Sequence, residues 1–178
     1  MNPLKIIDKY YQNQEELKAL LIDHSQSVTD KALALASLHP ELKLDQQFIY
    51  EAAMLHDIGI FLTHAPAILC FGDQPYIAHG YLGADLLRQA GYPKHARVCE
   101  RHTGTGLSLS QITQQKLPLP HRDMQPESLE EQLICFADSF YSKTHLGQEK
   151  CVEEIRQKLQ RFGQEGVEKF DHWCRLFL

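Results

Sequence analysis

A chain of 178 residues with 43% hydrophobic content is long enough to bury a core and too apolar for a disordered tail. Its formal net charge of -5, from 18 Lys and Arg against 23 Asp and Glu, excludes a nucleic-acid binder held by a broad basic surface. No run approaches the roughly 20 consecutive apolar residues of a membrane helix, and Met1-Asn2-Pro3-Leu4-Lys5 lacks the layout of a secretory signal. Five cysteines without a CxxC pair suit reduced thiols in a cytoplasm.

In chain order, the pattern predicts helices throughout and no strand. The first long helix is expected from about Asn13, its cap, to His39, with Leu17, Leu20, Leu21, His24, Val28, Leu35 and Leu38 at helical spacing. Pro40 ends it. Asp45 is a plausible cap for a second, carrying Phe48, Ile49, Ala52, Ala53, Leu55 and His56 until Gly59. Residues 60 to 75 contain Pro66, Gly72 and Pro75 yet are apolar, which suits a lid or pocket wall. A helix is expected over Tyr76 to Ala90, stopping at Gly91, and another from Pro93 to His102. Residues 103 to 127 are irregular apart from a short helix from Ser108. Ser128 and Glu131 have capping-box spacing for a helix through Leu133, Ile134, Phe136, Ala137, Phe140 and Tyr141. One or two helices close the chain, broken near Gly163 and Gly166. Cys135 and Cys151 lie among apolar helical residues and are expected in the core. The apolar C-terminal residues Phe170, Trp173, Leu176, Phe177 and Leu178 suit packing on the core or on a second subunit of a homodimer. One all-α domain, residues 1–178, is the expectation.

The informative residues are those whose polarity clashes with their position. His56 and Asp57 follow the buried-type run Ala52-Ala53-Met54-Leu55, and Asp138 sits between Ile134 and Tyr141. An ionised carboxylate there costs several kcal/mol unless it is paired or bound to a cation. Adjacent helical residues point about 100° apart, so His56 and Asp57 can meet one ion only at a helix end, just before Gly59. His24 lies on the apolar stripe of its helix. His79 precedes Gly80 and Gly83, and His102 closes a helix before Thr103-Gly104-Thr105-Gly106. Any one of these histidines alone reads as an ordinary core residue. Together with the two aspartates they form a set of imidazoles and carboxylates suited to iron, manganese, zinc, cobalt or nickel. His64, His95, His121 and His172 fall outside the pattern and are expected at the surface or in loops.

The string Leu55-His56-Asp57-Ile58-Gly59 matches the HDIG signature, and the order His … His-Asp … Asp resembles the HD-domain phosphohydrolase superfamily over roughly residues 20 to 145. The resemblance implies a helical HD bundle and a shared ligand set at His24, His56, Asp57 and Asp138. It also implies a dinuclear version in which His79 and His102 add a second ion and Asp57 bridges the two. Arg101-His102-Thr103-Gly104-Thr105-Gly106, Leu119-Pro120 and Pro126-Glu127-Ser128-Leu129-Glu130-Glu131 look like a small HDIG subgroup of bacteria and archaea. Ile60 stands where many HDIG proteins have Lys. The segment from His102 to Asp138 is longer than in the similar hydrolases of diadenosine tetraphosphate.

The activity so implied is hydrolysis of a small phosphate ester, a nucleotide by preference, by water activated on one or two divalent ions and oriented by Asp57 as the catalytic group. Lys143, about 1.4 helical turns beyond Asp138, and Arg101, beside His102, are the candidates for substrate contact. Two other readings share the ligand set: an HD-type di-iron oxygenase, and a non-catalytic nucleotide-binding HD module.

Overall fold

In the computed structural model, which describes all 178 residues, the chain forms nine α-helices and one small sheet. The helices are α1 (Pro3–Tyr10), α2 (Glu15–Leu38), α3 (Gln46–Leu55), α4 (His79–Gln89), α5 (Pro93–Arg101), α6 (Leu109–Gln114), α7 (Leu129–Ser139), α8 (Val152–Gln160) and α9 (Gln164–Phe177). No helix is long and apolar enough to cross a membrane.

Several starts follow from side-chain caps. Asp45 accepts a hydrogen bond from the Phe48 amide at 2.9 Å and opens α3. Ser108 and Gln111 form a reciprocal capping box on α6. Ser128 caps α7 through the Glu131 amide, but the Glu131 carboxylate does not return to Ser128 as the spacing suggests. It accepts instead from the Glu127 amide at 2.8 Å and from Arg97 and Arg101. Asn13 is not a cap either: it takes a left-handed φ of 61°, and α2 begins at Glu15. Upstream of it, α1, capped by Asn2, is an element the long-range periodicity does not reveal. Cys151 is exposed at the start of α8, not in the core.

The apolar segment after Gly59 contains strands that no alternation announced. β1 (Thr63–Ala65) lies between β2 (Cys70–Phe71) and β3 (Gln74–Pro75), antiparallel to the first and parallel to the second. With two or three residues each, these strands exist by pairing rather than by pattern.

Two apolar clusters organise the helices. One joins Val28, Ala32, Ala52 and Ala53 to Leu133, Ile134 and Phe136 of α7 and Phe170, Trp173 and Phe177 of α9. The C-terminal aromatics are thus spent on the core of the same chain: Phe136 packs against Phe170 and Phe177 with ring centroids 5.3 and 5.7 Å apart. The other cluster joins Ile7 and Tyr11 of the N-terminal segment to Leu17, Leu21, Leu55, Ile58, Leu87 and Cys99. His24 falls between Leu21 of one cluster and Val28 of the other, and His56 and Asp57 fall between Ala53 and Ile58. The polar site therefore lies on the seam between two cores.

Candidate metal centre

The turn that ends α3 is what lets two adjacent residues serve one place. Helical hydrogen bonding stops at Leu55, and the following residues turn through Ile58 N–H to Leu55 O and Ile60 N–H to Asp57 O. Tyr11 donates its hydroxyl to Ile58 O at 2.9 Å and pins this turn from the α1 side. Gly59 is required by proximity: a Cβ there would lie 2.3 Å from His79 O and 2.5 Å from Gly83 N. The start of α4 packs directly on the turn, which carries His79 to Asp57. A Cβ on Gly80 would lie 2.8 Å from Cys99 O, so α4 and α5 are equally close and His102 arrives beside His79.

Three imidazoles are oriented in the same way. His56, His79 and His102 each place Nδ1 against the backbone carbonyl three residues earlier, Ala53, Tyr76 and Cys99, at 2.6, 2.7 and 2.8 Å. Donation from Nδ1 fixes the tautomer and leaves Nε2 as the free donor atom for a ligand.

These Nε2 atoms converge on Asp57, whose carboxylate is fully buried. Asp57 Oδ2 lies 2.9 Å from His56 Nε2 and 3.1 Å from His24 Nε2. Asp57 Oδ1 lies 3.3 Å from His79 Nε2 and 3.4 Å from His102 Nε2. Asp138 Oδ1 completes the first group, 3.0 Å from His24 Nε2 and 3.5 Å from His56 Nε2. Two sets of donors result, His24, His56, Asp57 and Asp138, and Asp57, His79 and His102, each with its ligand atoms within 4.8 Å of one another. Asp57 belongs to both, one oxygen turned to each.

The local chemistry suits cations. His56 Nε2 and Asp57 Oδ1 are buried without a hydrogen-bond partner, a costly arrangement that a metal ion would relieve, while Asp57 Oδ2 is met by the Lys143 ammonium. Without one, burial would raise the Asp57 carboxyl, but the Lys143 ammonium and His56 hold it well below the usual carboxylate range. Asp138 is lowered likewise against its burial, by His24 and His56. Burial alone would lower His56, yet the Asp57 charge with Asp138 pushes it up to about 10. Burial takes His79 down to about 3, so it is neutral and ready to ligate. The residue types, imidazole and carboxylate with no thiolate, fit divalent transition metals.

All six residues singled out as ligands in the sequence meet here. Of the two expected substrate contacts, Lys143 is at the site: its Nζ lies 2.5 Å from Asp57 Oδ2. It gets there through the turn after α7, which ends at Ser139, and not by continuing the helix. Arg101 is elsewhere. Its guanidinium meets Glu127 and the buried Glu131, at 2.9 and 3.2 Å, in a network with Arg97 that ties α5 to α7. One helical step from His102 turns it about 100° away, toward α7, so it stabilises the scaffold and is not among the residues lining the cavity. His64, His121 and His172 are exposed, and His95 is half-buried against Glu51 at 3.0 Å.

A cavity of about 420 Å³ opens over the ligands, lined by His24, His79, His102 and Asp138. Its walls include residues the motif pattern does not mark, among them Tyr76, Thr103, Lys150 and Lys158. The Tyr76 ring stacks on His79 at 4.7 Å. Lys150 donates to Ser139 O and Tyr141 O at 2.5 and 2.8 Å, closing the C-terminus of the helix that carries Asp138. Cys135 donates its thiol to His102 O at 3.2 Å and links the same helix to the second ligand group.

Comparison with known proteins agrees with this fold. The HD domain family model matches residues 21–142. An uncharacterized protein of Methanocaldococcus jannaschii is 33% identical over 122 residues, 67% of this chain and 64% of that protein. Proteins named tRNA (cytidine(56)-2'-O)-methyltransferase are 32% identical in Picrophilus torridus, over 72% of this chain, and 29% in Thermoplasma volcanium, over 78%. The chain spans 33% and 37% of those two, so it covers less than two thirds of each of these curated relatives. The crystal structure of the HD domain of the L. monocytogenes phosphodiesterase PgpH shares the fold, with a TM-score of 0.55 and 18% identity over 93% of this chain and 92% of that one. With a family match over most of its length and the doublet at the centre of its site, this chain belongs to the HD-domain superfamily of metal-dependent phosphohydrolases.

Proposed function

We propose that the chain is a dinuclear, metal-dependent phosphohydrolase that acts on a small phosphate ester, a nucleotide by preference, with residues 1–178 working as one HD domain in the cytoplasm. The observation that carries this reading is the division of the Asp57 carboxylate, Oδ2 toward His24 and His56 and Oδ1 toward His79 and His102. A carboxylate so placed could serve both donor groups. When bound, two divalent ions supply Lewis acidity and lower the pKa of water toward neutrality.

The chain's own residues do the rest. His24, His56 and Asp138 would hold one ion, and His79 and His102 the other, with the rings of His56, His79 and His102 locked by backbone carbonyls. Asp57, with one oxygen toward each group, would take part in holding both ions, and its carboxylate would orient water activated there. Lys143, beside Asp57 Oδ2, is close enough to the centre to meet the negative charge of a phosphoryl group brought there. The buried surroundings strengthen each of these interactions relative to water. Five free cysteines accord with a reducing compartment.

A phosphate-release screen tests the proposal: protein loaded in turn with iron, manganese, zinc, cobalt or nickel, offered nucleoside monophosphates, diphosphates and dinucleotides. Release that requires metal and is lost in Asp57→Ala and His79→Ala is the expected result. Iron-dependent dioxygen consumption without phosphate release would replace the reading with an oxygenase. Nucleotide binding without turnover under any metal would reduce it to a binding module.

A further inference from the structure

The family match ends at residue 142, but the cavity does not. Lys143, Lys150, Ile155, Lys158, Leu159 and Phe162 all line it from beyond that point, four of them on α8 or just past its end. The metal ligands lie inside the matched residues, and this wall lies beyond them. Resting on the hydrolase reading, the wall is where substrate choice is made.

Three lysines face the cavity, and two are committed. Lys143 serves the metal centre itself, 2.5 Å from the Asp57 carboxylate, and Lys150 is spent on two backbone carbonyls. Lys158 has no ion-pair or hydrogen-bond partner for its side chain. It is near enough to Lys150 that its charge, after burial, helps take that amine down to about 8. One helical turn on, beyond the end of α8, Phe162 lines the same cavity while 68% of its surface stays exposed. An exposed aromatic ring and an unpaired cation that line one cavity with the candidate metal ligands are chemistry without a partner in the protein.

We propose that Lys158 and Phe162 are specificity-determining residues: Lys158 receives a second anionic group of the substrate, and Phe162 stacks on its planar apolar body. The preferred substrate class is then a nucleoside diphosphate or bisphosphate rather than a nucleoside monophosphate. One phosphate goes to Asp57 and its ligands and the other to the ammonium of Lys158. Ile155 and Leu159 add apolar wall to the same cavity.

Binding to manganese-loaded protein is measured by calorimetry with three hydrolysis-resistant probes: α,β-methylene-ADP, the adenosine monophosphonate, and inorganic phosphate. Wild type is expected to prefer the two-phosphate probe by about tenfold, the worth of one charge-assisted contact. Lys158→Gln is expected to erase that preference and leave inorganic phosphate unchanged. Phe162→Ala is expected to weaken both adenosine probes and spare inorganic phosphate. Both side chains are exposed, so melting temperatures should match wild type. An unchanged preference in Lys158→Gln, or no binding of either adenosine probe to wild type, overturns the proposal. If no nucleotide is hydrolysed but the preference exists and vanishes in Lys158→Gln, the hydrolase reading fails and this subsite stands. If nucleotides are hydrolysed with equal selectivity in both proteins, the subsite fails and the hydrolase stands.

Discussion

Replacing Lys143 with Met should affect the metal-free and metal-loaded proteins in opposite degree. The Lys143 ammonium, 11% exposed, lies 2.5 Å from the oxygen of a carboxylate with no exposure, which also faces His24 and His56. Breaking a buried pair by removing one partner costs about 3–5 kcal/mol. His56 can hold a proton beside Asp57 and relieves part of this, so the lower end, about 3 kcal/mol, is expected. For a chain of this size that is a fall in Tm of roughly 6–12 °C in the presence of a chelator. With manganese or zinc at saturation, the ion supplies the missing positive charge, and the fall should shrink to under about 3 °C. A difference of about 2 kcal/mol between the two conditions means that Lys143→Met binds metal about 30-fold more tightly than wild type. Scanning calorimetry with chelator or metal, with a metal titration alongside, gives all three quantities. Equal losses in both conditions, or weaker metal binding by the variant, would refute the idea that ammonium and metal compete for the same carboxylate.

Other variants probe the scaffold. Gly59→Ala places a methyl group against His79 O and Gly83 N, both backbone, so it should lose about 3 kcal/mol or more in a denaturant titration and take metal poorly. Arg101→Ala should lower stability by about 1–3 kcal/mol, because the buried Glu131 loses one of its two arginine partners, while KM stays near wild type. A large rise in KM would instead place Arg101 on the substrate. Metal affinity should rise with pH. In the metal-free protein His56 has a raised pKa, about 10, so it carries a proton at neutral pH that a ligand must give up. The stability from that proton is complete below the unfolded histidine value of about 6.5 and is lost as the pH climbs through the folded one. Calorimetry in buffers of different ionisation enthalpy should show protons released on metal binding; a pH-independent affinity would contradict this.

His24, His56, Asp57 and Asp138 were legible because each broke a local rule, a charge or imidazole where packing demands an apolar residue, whereas His79 and His102 were marked by glycines, helix ends and the resemblance. His24 stands between Leu21 and Val28, and Asp138 follows five buried residues. What adjacency in sequence could not convey was direction. Arg101 neighbours His102 but points the other way, while Lys143 reaches Asp57 only because α7 ends early. Elements whose cause is tertiary were also hidden. The three short strands need each other, α1 is too short for periodicity to declare it, and Cys151 is exposed because α8 starts there. Lys158 and Phe162 look like ordinary surface residues until the cavity brings them over the metal ligands.

Anomalous diffraction from crystals of the manganese-loaded protein bears most directly on the centre. Two peaks about 3.5–4 Å apart are expected, one among His24, His56, Asp57 and Asp138 and the other at Asp57, His79 and His102, with Asp57 touching both. Ions bound away from Asp57, or a single ion under metal-replete conditions, would contradict the account.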